Sequence, residues 1–166
     1  IARVLQNKKT NFEIDSFEQI IKEIIRIAGI PFTQDTLSRN EQLEDWRNKV
    51  NAIADHIRAV TFAISDGVLP SNEERGYVIR KLIRKAFWYG RGMGLDKPFL
   101  YKIVPVVAQV MKKPYPELTS HRENISQIVE EEEKRFKNTI DEGTERLTTM
   151  LVESKKSGIL QGEYVF

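Results

Sequence analysis

Apolar residues in this chain recur at steps of three and four, and this period restricts the chain to helices. From Asp15 to Ala28 the apolar positions follow one helical face, and four later segments show the same period. No segment longer than a few residues alternates apolar and polar side chains, as a half-buried strand would. The sequence therefore predicts an all-α fold, a helical bundle of about five main helices with a long C-terminal helix.

Glycine, proline and capping residues predict where these helices begin and end. The first helix ends at Gly29, the second covers about 43–65, and the fourth begins near Asp96 and is bent by Pro105 inside it. A polar residue followed three positions later by Glu predicts a capping box. Three such pairs open the first, third and fifth helices: Asp15 with Glu18, Ser71 with Glu74, and Ser120 with Glu123. The fifth helix is predicted to run to about residue 153, and residues 31–42 are predicted to form a loop.

Composition excludes several classes of site. The 166 residues contain no cysteine, which removes a thiolate nucleophile, a disulfide and a cysteine-based zinc site. His56 and His121 lie far apart without metal-ligand spacing, and no apolar run reaches the length of about 18 residues that a membrane span needs. We therefore predict no catalytic residue, no metal ligand and no membrane contact in this chain.

Basic residues are concentrated in the third helix. The chain has 26 Lys and Arg against 24 Asp and Glu, a net charge of only +2, yet no acidic residue lies between positions 75 and 91. A block of one sign is typical of a surface that binds a polyanion, because screening confines each charge to its neighbourhood. The candidate nucleic-acid-binding residues are Arg75, Arg80, Lys81, Arg84, Lys85 and Arg91. We expect an apolar face with Tyr77 and Val78 toward the bundle and a basic face toward solvent.

Two further polar features have definite interpretations. Asn72 follows Ser71 at the start of the basic helix, and its amide could read a base edge beside a phosphate. Glu130–Glu133 is an acidic run in the fifth helix, which we interpret as a solvated helix face rather than a metal site.

Three segments in the middle of the chain resemble the alanyl-tRNA synthetase family. They are Ile53–Ala59 (IADHIRA), Asp66–Glu73 (DGVLPSNE) and Arg75–Lys85 (RGYVIRKLIRK), which occur in the family's order and spacing. Shorter similarities occur at Ile1–Gln6, Asn11–Asp15, Phe99–Lys102 and Glu131–Phe136, so the resemblance covers nearly the whole chain.

The resemblance implies a division of the chain. Residues 1–14 would be the tail of the class II catalytic domain, residues 15–156 the helical tRNA-recognition domain, and residues 157–166 a linker into further structure. ATP with Mg²⁺, and zinc in an editing domain, are implied for a full-length protein and not for these residues. The chain alone is therefore expected to be inactive, and the full-length protein to be a cytoplasmic alanine–tRNA ligase.

The resemblance also implies a partner and a recognition residue. The partner is the acceptor stem of tRNA-Ala, recognised through its G·U wobble pair, and the adjacent catalytic and editing domains lie in the same chain. By position, Asn72 matches the family's asparagine at this pair, and either Arg84 or Lys85 matches a basic residue beside it. The alternative is a non-catalytic helical module that binds a protein partner through the apolar stripe of the long fifth helix.

Overall fold

A computed structural model describes residues 1–29 and 41–157, and every regular element in those two ranges is helical. Two 3₁₀ turns, Asn11–Glu13 and Leu100–Lys102, interrupt the α-helices. The α-helices are α1 (Ala2–Leu5), α2 (Asp15–Ala28), α3 (Glu41–Ser65), α4 (Glu74–Arg91), α5 (Val104–Val110) and α6 (Glu117–Ser157). The predicted all-α fold with a long last helix is confirmed. Residues 31–40 of the predicted loop and 158–166 of the predicted linker lie outside the described residues.

Contacts divide the chain into two compact units, Ile1–Glu133 and the residues from Lys134 onward. In the first unit, α3 packs against α2, α4 and α5. In the second unit α6 continues to Ser157, with Lys137 paired to Asp141 one turn away. None of the described helices is both long enough and apolar enough to cross a membrane.

The core of the first unit consists of the apolar stripes that the helical period predicts. Phe17, Ile20 and Ile24 of α2 are buried. The whole predicted stripe of α3 is buried as well: Val50, Ile53, Ala54, Ile57, Val60, Thr61 and Ile64. Thr61 fits because its hydroxyl donates to the Ile57 carbonyl at 2.7 Å, which satisfies the buried polar group within the helix.

The three predicted capping boxes are wrong. At α2 the cap position is Ile14, and the carboxylate of Asp15 accepts from the N–H of Ser16. Helix α6 begins three residues before Ser120, whose hydroxyl donates to the carbonyl of Glu117. Each side chain bonds a backbone group other than the N–H three residues ahead that a capping box requires, because short polar side chains compete for local backbone groups. The predicted stop at Gly29 is confirmed, with the left-handed φ of 63° that a glycine adopts without strain.

The predicted bend at Pro105 is also wrong. A 3₁₀ turn at Leu100–Lys102 precedes α5, and Pro105 lies in the first turn of that helix. Proline is accepted there because the first amides of a helix have no intrahelical partner. The segment is nevertheless buried, as its apolar sequence predicts, with Leu100, Ile103 and Val104 inaccessible to solvent.

The acidic run of α6 is not a solvated face, because Glu132 and Glu133 are buried. Glu132 lies three residues and Glu133 four residues after the buried Val129, which places both on the inner side of the helix. The Glu133 carboxylate accepts N–H bonds from Phe99 and Leu100 at 2.9 Å each and from Tyr101 at 3.1 Å. One side chain of α6 thus satisfies three amides at the start of the 3₁₀ turn.

Burial dominates the titration of this carboxyl. It raises the pKa of Glu133 to about 7, although the three N–H bonds act in the opposite direction. The folded state therefore holds the proton more tightly than the unfolded state, in which the carboxyl has its ordinary pKa of 4.5. The contribution of Glu133 to stability is complete below pH 4.5 and is lost as the pH rises through 7.

We expect Glu133→Gln to remove this pH dependence. Between pH 4.5 and pH 8 the free energy of unfolding of the wild type should fall by roughly 3 kcal/mol relative to the variant, because the glutamine does not ionise. Urea unfolding across this range measures the difference. Parallel pH profiles for the two proteins would contradict the prediction.

Candidate nucleic-acid interface

The residues preceding α4 form a turn that leaves Asn72 exposed. The Ser71 hydroxyl accepts from the Glu73 N–H at 3.2 Å and donates to the Glu73 carbonyl at 2.9 Å. The Ser71 N–H donates to the Gly76 carbonyl at 3.1 Å, which folds the turn back onto the helix. Helix α4 consequently begins at Glu74, with Glu73 and not Ser71 at the cap position. An open pocket of about 390 Å³ is lined by this turn and by the first residues of α4.

Glycine at position 76 allows this close approach. A Cβ atom at Gly76 would collide with the Leu69 carbonyl oxygen and with the Ser71 hydroxyl. Glu74 enters the helix with a left-handed φ of 47°, a conformation that non-glycine residues seldom adopt. The position of Asn72 therefore depends on tight packing between the turn and α4.

Two of the predicted binding residues point into the bundle. Arg84 Nε donates to Oε1 of Glu132 at 2.8 Å, and Arg80 Nε lies 3.4 Å from the same oxygen. Only 16% of the Arg80 side chain and 2% of the Glu132 side chain are exposed. The expectation that all the cations of this helix face solvent is wrong for Arg80, whereas Arg84, with 36% of its side chain exposed, is half-buried by the same contact. Positions 80 and 84 flank the buried stripe of α4, where a buried carboxylate stabilises them.

Arg80 also contacts the recognition candidate. Its Nη1 donates to Oδ1 of Asn72, so Glu132, Arg80 and Asn72 form a continuous polar chain. Asn72 itself is exposed. The structure thus joins Asn72 and Arg80 directly, and it places beside Arg80 a buried acid that sequence analysis assigned to solvent.

The other predicted cations lie on the surface. Arg75, Lys81 and Lys85 are exposed. Arg91 is partly buried, with its Nε 3.8 Å from Oδ1 of Asp96. The predicted site is therefore divided into an exposed set and a set held by carboxylates.

Sequence analysis missed two exposed aromatic residues on α4. Tyr77, predicted to face the bundle, is 51% exposed, and Trp88 is 58% exposed. Together with the two lysines they define an outer stripe of Tyr77, Lys81, Lys85 and Trp88, at helical steps of four, four and three. Lys81 Nζ lies 6.0 Å from the ring centroid of Tyr77, within the range of a weak cation–π contact. The sequence signal was the helical spacing, since Tyr77 lies four residues before Lys81 and Trp88 lies three residues after Lys85.

The described residues contain no group of three or more His, Asp or Glu side chains that could hold a metal ion. We therefore assign neither Mg²⁺ nor zinc to them.

Comparison with known proteins places the chain in a family. Residues 1–166 match the family model described as tRNA synthetases class II (A). The chain belongs to this family. It is 45% identical over 170 residues to the alanine–tRNA ligase of Streptococcus thermophilus, and 44% identical over 168 residues to those of Streptococcus pyogenes and Streptococcus agalactiae. In each case all of this chain is matched, and it spans 18% of the length of the relative.

We expect Gly76→Ala to destabilise this synthetase chain, because the added methyl group must displace the backbone at Leu69. Overpacking of this kind costs roughly 1–3 kcal/mol. Gly143→Ala in α6 is the matched control, since a Cβ there meets no atom within 4 Å and alanine is the better helix former. Urea midpoints should fall for the first variant and stay equal or rise for the second. Equal midpoints for both variants would show that the turn before α4 accommodates the added methyl group without a loss of stability.

Proposed function

We propose that this chain is the part of an alanine–tRNA ligase that binds the acceptor stem of tRNA-Ala and recognises its G·U wobble pair. The observation that carries the proposal is the exposed Asn72 in the turn before α4, together with the exposed outer stripe of that helix, in a chain whose relatives are named alanine–tRNA ligases. The full-length protein would use ATP and Mg²⁺, as the class II family implies, and zinc in an editing domain. It would act in the cytoplasm, and the 166 residues alone would not charge tRNA.

The chemistry of the exposed set suits RNA. Lys81, Lys85 and Arg75 can neutralise phosphates, and no acidic side chain lies between positions 75 and 91 to oppose them. A-form RNA presents base edges and 2′-hydroxyls in a shallow minor groove, where a short amide such as that of Asn72 can reach them. Phosphate contacts would set the register, and the amide would supply the choice of base pair.

The proposed boundaries follow the resemblance. Residues 1–14 are assigned to the catalytic domain, residues 15–156 to tRNA recognition and residues 157–166 to a linker. Arg80 and Arg84 are assigned to stabilise the interface, because both pair with Glu132. Lys85 is exposed and is therefore the stronger candidate for the basic contact beside the wobble pair. The alternative of a protein-interaction module finds no support in the three streptococcal relatives described above, which are named as ligases.

A titration of the whole chain with an acceptor-stem hairpin tests the proposal. Binding should weaken with salt, and the double variant Lys81→Gln/Lys85→Gln should lower the slope of log K against log salt by about 2, because two phosphate contacts are lost. The control Lys112→Gln/Lys113→Gln removes two exposed lysines outside α4 and should leave the slope unchanged. Equal slopes for all three proteins would exclude the outer stripe as the RNA surface.

The fluorescence of Trp88 gives an independent measurement of docking. The chain has two tryptophans, so Trp46→Phe leaves Trp88 as the single reporter. A nucleobase or phosphate arriving at the outer stripe should quench this exposed ring and reduce its accessibility to iodide. The reciprocal variant Trp88→Phe, which retains Trp46, should show no such change. An unquenched Trp88 at saturating RNA would place the RNA on another surface.

A further inference from the structure

The orientation of the Asn72 amide is determined by Arg80. A guanidinium group only donates hydrogen bonds, so the amide atom that faces it must be the oxygen. Arg80 Nη1 indeed donates to Oδ1 of Asn72. The end of the amide that Arg80 does not hold is Nδ2, which carries two N–H donors and belongs to an exposed side chain.

Arg80 is held in turn by a buried acid. Its Nε lies 3.4 Å from Oε1 of Glu132, as an ion pair without a hydrogen bond, and that oxygen accepts from Arg84 Nε at 2.8 Å. The Glu132 side chain is 2% exposed and the Arg80 side chain 16%. A cation in these surroundings is confined by its neighbours, in contrast to the lysines of the outer stripe, which are exposed to water.

We propose that Glu132 is a positioning residue for recognition of the base pair. Through Arg80 it holds the amide of Asn72 with its oxygen turned inward, so that Asn72 offers N–H donors and reads a hydrogen-bond acceptor on the RNA. The inference rests on the proposed function, since it deepens the role of the same site.

This orientation selects one side of a wobble pair. In the minor groove a pyrimidine presents its O2 as an acceptor, whereas guanine adds the 2-amino group, which is a donor. An asparagine that presents donors matches the uracil O2 and opposes the guanine amino group. The amide would read the opposite partner if Arg80 did not occupy its oxygen.

The free protein tests the positioning contact without RNA. The side-chain amide resonances of Asn72 are assigned by their loss in Asn72→Ala, and they should move in both Glu132→Gln and Arg80→Lys. Arg80→Lys keeps Glu132 paired with Arg84, so it serves if Glu132→Gln does not fold. Glu131→Gln changes an exposed neighbour on the same helix and should leave these resonances in place. Unmoved resonances in both folded variants would overturn the proposal.

Binding to acceptor-stem hairpins tests the functional consequence. Asn72→Ala should weaken binding to the wobble hairpin roughly 5- to 150-fold relative to a Watson–Crick hairpin. Glu132→Gln and Arg80→Lys should lose part of the same preference, while Glu131→Gln keeps it. Replacing the uracil by 2-thiouridine, which weakens the acceptor, should remove the difference between wild type and Asn72→Ala. Replacing the guanine by hypoxanthine, which lacks the 2-amino group, should preserve it.

The outcomes distinguish the proposed function of the chain from the positioning role of Glu132. A wild type without any wobble preference or salt dependence contradicts the proposed function, and the resonances of the free protein still decide the positioning role. A wild type that discriminates, with Glu132→Gln and Arg80→Lys discriminating equally well, overturns the positioning role alone. In the contrary result, the replacement of guanine by hypoxanthine removes the difference between wild type and Asn72→Ala, and the replacement of uracil by 2-thiouridine preserves it. That result would show that the Asn72 amide presents its oxygen to the RNA and would overturn the proposed orientation.

Discussion

Two adjacent buried carboxylates on α6 organise the first unit of this chain. Glu133 accepts three backbone amides at the start of the 3₁₀ turn, and Glu132 accepts from Arg84 and lies against Arg80. Consecutive residues of a helix point about 100° apart, so two neighbouring acids can reach two different elements. Burying a carboxylate is costly unless its oxygens are satisfied, and both acids have several donors. These contacts tie α6 to α4 and to the segment that leads into α5.

The same contacts divide the basic helix into two functional classes. Arg80 and Arg84 pair their charge with the buried Glu132, whereas Lys81 and Lys85 remain exposed on the outer stripe with Tyr77 and Trp88. This division fits the chemistry of the side chains. The planar arginine fork binds a fixed carboxylate well, whereas the ammonium group of lysine is a compact, strongly hydrated charge that can attract a phosphate at the surface. A surface built in this way combines buried ion pairs with exposed cations.

Much of the fold could be predicted because helical burial follows a short-range period. The stripe of α3 was predicted residue by residue, and the left-handed end of α2 at Gly29 was predicted from one glycine. Capping was not predictable in the same way, since Asp15, Ser71 and Ser120 each have several backbone groups within reach. The choice among them depends on the path of the chain and not on residue type alone.

The sequence by itself determined the helical class, the buried stripes, the family and the concentration of cations at positions 75–91. Only the tertiary structure decided which of those cations face solvent, that Glu132 and Glu133 are buried, and that Arg80 holds the oxygen of the Asn72 amide. The physical reason is the range of the interactions. A helical period depends on residues that are neighbours in sequence. Glu132 lies 48 positions from Arg84 and becomes its partner only after the helices have packed.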